Sequence, residues 1–368
     1  MRIDRVELRN FRNYGEAETE FEPGINVITG ENAQGKTNLL EAVYMLTSGR
    51  SFRTRFDREL IRFGREYGAL EAEVYCGERE QRLKIELRRG QRKRIELNGV
   101  RKSAGELSES IRAVLFCPED LNMIREGAAA RRRLMDMAIS QLRPGYGRLL
   151  SDFNRLYENK TRILRDYRED RSMLDTLEEF SDGMSRVSAQ IIRYRASFAR
   201  RLAAAAAEVH GQFSGAGEEL EIRYRTVSTV TDPEGSAAEI YAQLWEHQRR
   251  HAAAELSSGQ CLSGAHKDDL EIEINGVSAK SYASQGQTRT AALSVKLAER
   301  EIFLTETGEY PVLLLDDVLS ELDGRRQEFV LNRIGGGQTL ITCCEDGQIA
   351  KKTGGKVIVI HNGGIVGG

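Results

Sequence analysis

The sequence predicts an α/β fold, a mixed sheet with helices, divided by an inserted and mostly helical lobe. Three observations lead there. A short apolar run near the N-terminus enters a glycine-rich loop and then a helical repeat of apolar residues. A second apolar run, far along the chain, ends in two carboxylates. Between them the composition shifts from alternating strand patterns to Ala, Arg, Glu and Leu.

Taken in order, Val6 and Leu8 alternate with charged residues, as in a half-buried strand. Asn26-Val27-Ile28-Thr29 reads as a short buried strand. It leads into Gly30-Glu31-Asn32-Ala33-Gln34-Gly35-Lys36-Thr37, which fits G-x-x-x-x-G-K-[ST], the pattern of a phosphate-binding loop. Gly30 and Gly35 let the backbone curl so that its N–H groups face an anion. Leu39, Ala42, Val43 and Leu46 recur at helical spacing after it, so a helix aims its positive end at the same point. The loop implies ATP: Lys36 would reach the β- and γ-phosphates, and the Thr37 hydroxyl would sit on Mg²⁺.

Arg94–Leu97 then alternates into an Asn98-Gly99 hairpin turn, and Val114-Leu115-Phe116 is a strand stopped by Pro118. From about Gly127 to Leu256 the helical lobe follows. Leu149, Phe153, Leu156, Lys160 and Ile163 trace one helical face with a single polar member, and Ala203–Ala207 is a strong helix former. Glu218–Thr231 is more strand-like, and Leu270–Ile274 runs into a second Asn-Gly turn. Ser284-Gln285-Gly286-Gln287 opens a helix with apolar Ala291, Val295, Ala298 and Ile302. A hydroxyl and free N–H groups at a helix N-terminus suit an anion, so Ser284, Gly286 and Gln287 join the nucleotide-binding candidates. The similar Ser258-Gly259-Gln260 lacks such a helix and reads as a loop.

Val312-Leu313-Leu314-Leu315 is a buried-strand pattern ending in Asp316-Asp317. Asp316 is placed to hold the Mg²⁺ shell beside Thr37. Asp317 is placed to orient or deprotonate the attacking water, which makes Lys36, Asp316 and Asp317 the candidate catalytic set. Thr339–Thr342 and Lys356–Ile360 are the last strands, and Gly363-Gly364 with Gly367-Gly368 are expected to fray. The expected division is an ATPase domain in two parts, 1–125 and 258–368, around a helical arm at 126–257.

A chain of 368 residues, 40% hydrophobic and 30% charged, can bury a sizeable core. No apolar run is long enough to cross a bilayer, so no membrane partner is expected. The opening Met1-Arg2-Ile3-Asp4-Arg5 is no secretory signal. Cys76, Cys117, Cys261, Cys343 and Cys344 show neither metal-ligand nor disulfide spacing, and with the other features they imply a reduced, cytoplasmic setting. A net charge of −2 and a pI near 6.3 confine any nucleic-acid surface to local patches.

A nucleotide head split by a helical insertion resembles the ABC-type ATPases related to structural-maintenance-of-chromosomes proteins. The match becomes narrower at Leu8-Arg9-Asn10-Phe11-Arg12-Asn13-Tyr14, at Gly30–Ala42 and at Gly49-Arg50-Ser51-Phe52-Arg53. Phe116–Leu121, Arg131-Arg132-Arg133 with Asp136, Gly264–Leu270, Tyr282–Arg289 and Leu315–Asp323 extend it over nearly the whole chain. These residues resemble the RecF family of bacterial recombination mediators. The resemblance implies ATP-dependent binding of double-stranded and gapped DNA and a homodimer formed on ATP, with the loop of Ser284 covering the partner's nucleotide. It also implies work with RecO and RecR in loading RecA at single-strand gaps, in DNA replication, repair and the SOS response, with weak DNA-stimulated ATPase activity serving as a binding switch. Three positions depart from the pattern. Ala265 stands for the usual Pro, Thr342-Cys343-Cys344 offers no His, and Asp317 stands where many ABC enzymes have Glu, which fits slow hydrolysis.

Basic clusters at Arg88-Arg89, Arg92-Lys93-Arg94, Arg101-Lys102, Arg131–Arg133 and around Arg193, Arg195, Arg200 and Arg201 are the candidate DNA contacts. Each also reads as a solvated face, except that Arg131–Arg133 has no adjacent acid. Without a recognition helix, zinc finger or ribonucleoprotein aromatic pattern, base readout is not expected. His266 reads first as a satisfied turn histidine and second as a catalytic one. A chromosome-organising or transporter ATPase subunit is the alternative function. The first would require far longer heptads, and the second fits the strand-rich N-terminal part poorly.

Overall fold

The computed structural model describes residues 1–77, 79–214, 217–344 and 348–367. It forms two compact units, Met1–Asn122 with Ala292–Gly368, and Met123–Ala291.

The chain opens with β1 (Arg2–Phe11), β2 (Tyr14–Glu20), β3 (Ile25–Thr29) and α1 (Lys36–Ser48), then β4 (Tyr67–Cys76), β5 (Arg79–Arg88), β6 (Arg94–Leu97), β7 (Val100–Lys102) and β8 (Ala113–Phe116). The second unit holds α2 (Ala128–Leu142), α3 (Tyr146–Asp166), α4 (Leu177–Ser214), β9 (Leu220–Arg225), α5 (Ala237–Ser258), β10 (Asp269–Ile274), β11 (Val277–Ser278) and α6 (Ala279–Tyr282). Next comes α7 (Gln285–Thr307), whose residues fall in both units, and the first unit closes with β12 (Val312–Asp316), α8 (Gly324–Leu331), β13 (Thr339–Cys343), α9 (Gln348–Thr353), β14 (Lys356–His361) and β15 (Gly364–Gly367).

Two sheets build the first unit. One is antiparallel, in the order β2-β1-β4-β5-β6-β7, and its strands alternate buried and exposed residues as a one-sided sheet must. The other runs β15-β14-β3-β13-β12-β8, with β14, β3, β13, β12 and β8 parallel. Every residue of β12, β13 and β8 is buried, the pattern of a sheet covered on both faces. Leu39, Leu40, Ala42, Val43, Met45 and Leu46 of α1 are buried with them.

In the second unit the long α4 packs against α3, α5 and β9. The boundary here falls after Ala291, whereas the sequence reading ends the arm at 257. Strand pairing explains the difference: β10 lies antiparallel to β9 with Leu270 opposite Tyr224, which ties the segment after α5 to the helical unit.

The glycine tail is a correction. Gly364–Gly367 is strand β15, paired with β14 through Ile360 opposite Ile365. Asn362 (φ 49°) and Gly363 (φ 68°) supply the two positive φ angles of a tight hairpin turn, so the chain folds back on the sheet. Gly368 lies outside the described residues.

Candidate nucleotide-binding site

Sheet register brings the first two motifs together. Asp316 at the end of β12 lies opposite Thr342 of β13, and Thr342 lies opposite Ile28 of β3. The loop after β3 and the carboxylate ending β12 therefore emerge at the same carboxyl edge, where open α/β sheets bind ligands.

The loop geometry requires its glycines. Gly30 has φ 149° and Gly35 has φ 125°, and a Cβ at Gly30 would lie 2.4 Å from the Ile360 carbonyl oxygen. Ala33 at φ 63° completes the curl. Lys36 is buried, and its ammonium donates to the carbonyls of Gly30 (2.6 Å) and Glu31 (2.9 Å). The Thr37 hydroxyl donates to Asp316 Oδ1 at 2.9 Å, and the Thr342 hydroxyl donates to the same oxygen at 2.9 Å. Burial pushes the Asp316 carboxyl above its ordinary range against these two hydroxyls, and neighbouring Asp317 adds to the rise. Asp317 follows in the left-handed region at φ 51°, its N–H donating to Thr342 Oγ1 at 2.8 Å.

Several supports of the loop lie outside the G-x-x-x-x-G-K-T run. The Tyr14 hydroxyl donates to the Gly35 carbonyl at 2.9 Å, and Asn13 Nδ2 donates to the Gln34 carbonyl at 2.8 Å. Burial pushes the Tyr14 phenol well above its usual value, so it remains a donor. Gly363 N–H donates to the same Gln34 carbonyl at 3.0 Å, so the β14–β15 turn grips the loop as well. Beneath them Glu41, fully buried on α1, accepts two bonds from Arg12 (2.7 and 2.8 Å) and one from Ser51 (2.5 Å). The opening motif and the Gly49–Arg53 motif thus meet at one α1 carboxylate. The signal in the sequence was a glutamate on the apolar face of a helix, without a partner nearby in the chain.

Ser284, Gly286 and Gln287 belong to the second unit. Ser284 Oγ accepts from the Gln287 N–H (3.2 Å), and the Gln287 side chain accepts from the Ser284 N–H (2.8 Å), a reciprocal cap on α7. Gln287 Nε2 also donates to Glu218 at 2.8 Å. Ser258-Gly259-Gln260 is a helix end, with Gly259 as the left-handed cap of α5.

The basic clusters separate into two kinds. Arg131 and Arg195 are buried. Arg131 makes a two-point pair with Asp269 (2.7 and 3.0 Å) and donates to three backbone carbonyls. Arg195 joins Asp136 and Asp268, each at 2.8 Å, and the Ala265 carbonyl at 2.6 Å. Both hold the second unit together, although Arg131 shows no acid beside it in sequence. Arg88, Arg89 and Arg92 are exposed. His266 Nε2 donates to the Cys261 carbonyl at 2.9 Å, and burial lowers its pKa to about 4, the state of a neutral turn histidine.

Among the described residues no helix is long and apolar enough to cross a membrane. A family model described as RecF/RecN/SMC N terminal domain matches residues 2–363. The chain is 40% identical over 363 residues to the DNA replication and repair protein RecF of Listeria innocua serovar 6a, spanning 96% of this chain and 95% of the relative. It is 38% identical over 346 residues to the RecF of Acetivibrio thermocellus, 94% of each chain. A solved structure described as the recombination mediator protein RecF-ATPrS superposes with a TM-score of 0.91 at 34% identity, covering 99% of this chain and 97% of that one.

Proposed function

Because the chain belongs to the RecF family, we propose that it is an ATP-dependent DNA-binding protein of recombinational repair. The observation that carries this reading is the junction of Lys36, Thr37 and Asp316 at one sheet edge, with Thr37 and Asp316 2.9 Å apart. A glycine-curled loop, a buried lysine and a carboxylate joined to a hydroxyl are the parts that ATP-binding sites of this type use.

The donor set fits Mg²⁺. Thr37 Oγ1 and Asp316 are hard oxygen ligands, and the buried carboxylate is met here by hydroxyls. Among the described residues no group of three or more His, Cys, Asp or Glu could form an all-protein metal cage. The remaining ligands would be phosphate oxygens and water, as Mg²⁺ prefers. When bound, the ion supplies charge neutralisation at the phosphates. Lys36 supplies a point charge to the β- and γ-phosphates, and the N–H groups of Glu31 to Lys36 cradle them. Asp317 orients or deprotonates the attacking water, and its short side chain keeps hydrolysis slow. Ser284, Gly286 and Gln287 complete the partner's site in a homodimer formed on ATP. That dimer engages duplex and gapped DNA and works with RecO and RecR.

Fluorescence anisotropy with labelled duplex DNA, with and without ATP and Mg²⁺, tests the reading. Binding should require ATP, ignore sequence and weaken steeply with salt. Lys36→Met should abolish the ATP effect. Equal DNA affinity of Lys36→Met and wild type, each with ATP, would overturn the proposal.

A further inference from the structure

Phe63 is 98% exposed in the first unit, and Phe56, earlier in the same segment, is 56% exposed. A ring so fully presented to water is uncommon, and its setting is rigid. Arg62-Phe63-Gly64-Arg65 is a β-turn, closed by the Arg65 N–H on the Arg62 carbonyl at 3.0 Å, with Gly64 at φ 77°. Both approaches are pinned. Ile61 bridges Phe11, Arg12 N–H donates to the Leu60 carbonyl at 2.7 Å, and Arg62 N–H donates to the Asn10 carbonyl at 2.8 Å. On the far side Arg89 N–H donates to the Glu66 carbonyl at 3.1 Å, just before β4 begins.

The same contacts gather positive charge. Arg89 Nε donates to the Arg65 carbonyl at 3.1 Å, and Lys93 pairs with Asp57 at 2.9 Å, so the β5–β6 turn lies alongside this segment. Residues 55–66 and 88–94 together carry nine basic and three acidic side chains. Arg62, Arg65, Arg89 and Arg92 are exposed; Arg62 and Arg65 belong to the same turn as the ring, and Arg89 is bonded to it through the Arg65 carbonyl. An aromatic face fixed in a field of arginines is the arrangement that grips single strands: guanidinium groups on phosphates, a ring on a base. A paired base inside a duplex has both faces covered by its neighbours. Only an unpaired or terminal base offers one.

We propose that the Phe63 turn stacks on an unpaired DNA base next to duplex, with Arg65 and Arg89 holding the adjoining phosphates. This rests on the DNA-binding reading above and adds a contact that distinguishes a strand junction from continuous duplex. It involves stacking, so it recognises an open base face without reading base identity.

The test uses the full chain with ATP and Mg²⁺ and two probes of equal paired length. One is a duplex with a single-stranded overhang carrying 2-aminopurine at the first unpaired position. The other is a duplex whose two ends are closed by non-nucleotide linkers, so that it carries no unpaired base. Phe63→Ala should weaken binding to the overhang probe roughly 5- to 100-fold and abolish 2-aminopurine quenching. It should leave the closed duplex unchanged, and Phe63→Trp should restore both signals. Arg65→Glu should weaken both probes alike. Equal effects of Phe63→Ala on the two probes, or none on either, would overturn the stacking role. So would a Phe63-dependent affinity for phosphatidylglycerol vesicles with unchanged DNA binding, which would assign the face to a lipid surface. A wild-type protein that bound neither probe would break the DNA-binding reading itself, which is a separable outcome.

Discussion

Asp268 in the second unit and Asp316 in the first are both buried carboxylates, and the fold answers them with different chemistry. Asp268 accepts from the Arg195 guanidinium at 2.8 Å and from the Tyr224 hydroxyl at 2.6 Å. Burial opposes the charge on Arg195, yet Asp136, Tyr146 and Asp268 outweigh it and hold the guanidinium ionised. Asp316 is met by the hydroxyls of Thr37 and Thr342. The first carboxylate is neutralised within its own unit and, through Arg195 and Tyr224, ties α4 to β9. The second receives two neutral hydroxyls instead of a guanidinium, and in the proposed site a bound cation would be its complement. Burial alone does not mark a functional acid; what the fold sets opposite it does.

The largest test of this contrast is Arg195→Met. It strands Asp136 and Asp268 without their cation, and breaking a buried pair from one side costs about 3–5 kcal/mol. Urea denaturation should show the loss in the second unit. A change under about 1 kcal/mol would show that the network is not what holds that unit.

His266 gives the next effect. Its folded pKa of about 4 lies below the ordinary 6.5, so the neutral imidazole is the stable form. The stabilisation is complete above about pH 6.5 and is lost as pH falls through about 4, at most about 3 kcal/mol. His266→Gln, which keeps a donor for the Cys261 carbonyl, should flatten the decline in melting temperature between pH 6.5 and 4. An unchanged profile would move the acid sensitivity to other groups.

Asp316→Asn should behave in the opposite way to Arg195→Met. Burial raises the Asp316 pKa, so the ionised form carries a folding cost above its ordinary 3.8. Removing the charge should therefore leave stability within about 1 kcal/mol of wild type or raise it. ATP hydrolysis should fall at least about 100-fold, because the divalent ion loses its carboxylate. Wild-type affinity for Mg²⁺·ATP should also decline as pH falls toward that raised pKa, since proton and cation compete for one oxygen pair. Loss of stability with intact hydrolysis would place Asp316 beside Asp268 as a structural group.

The smallest effect expected is that of Tyr14→Phe, which removes one buried hydrogen bond to the Gly35 carbonyl, worth about 1 kcal/mol. ATP affinity measured by calorimetry should drop about fivefold with little change in folding. No change in affinity would mean that Asn13 and the β14–β15 turn hold the loop without it.

Much of the site was legible in the chain because its parts are local. The phosphate loop, its entering strand and its helix are contiguous, and spacing alone identifies them. The Asn98-Gly99 and Asn275-Gly276 hairpins were legible for the same reason, through turn residues that accept positive φ. Asn362-Gly363 carries that signal too, but the glycine-rich sequence after it has no side-chain alternation to reveal a strand. Arg131 looked like a surface cation because its partner Asp269 is distant in sequence.

The sequence by itself determined where the glycine-curled loop lies, where helices start and which strands are buried, since backbone freedom, side-chain period and charge act over a few neighbours. The tertiary structure alone decided which charges are neutralised inside and which remain on the surface. It joined Arg12 to Glu41, Arg195 to Asp268 and Thr37 to Asp316, and it set Phe63 at the tip of a pinned turn among arginines from two separate segments. The cost of burying a charge depends on what lies within a few ångströms of it, and that neighbourhood exists only once strands and helices from distant parts of the chain have packed.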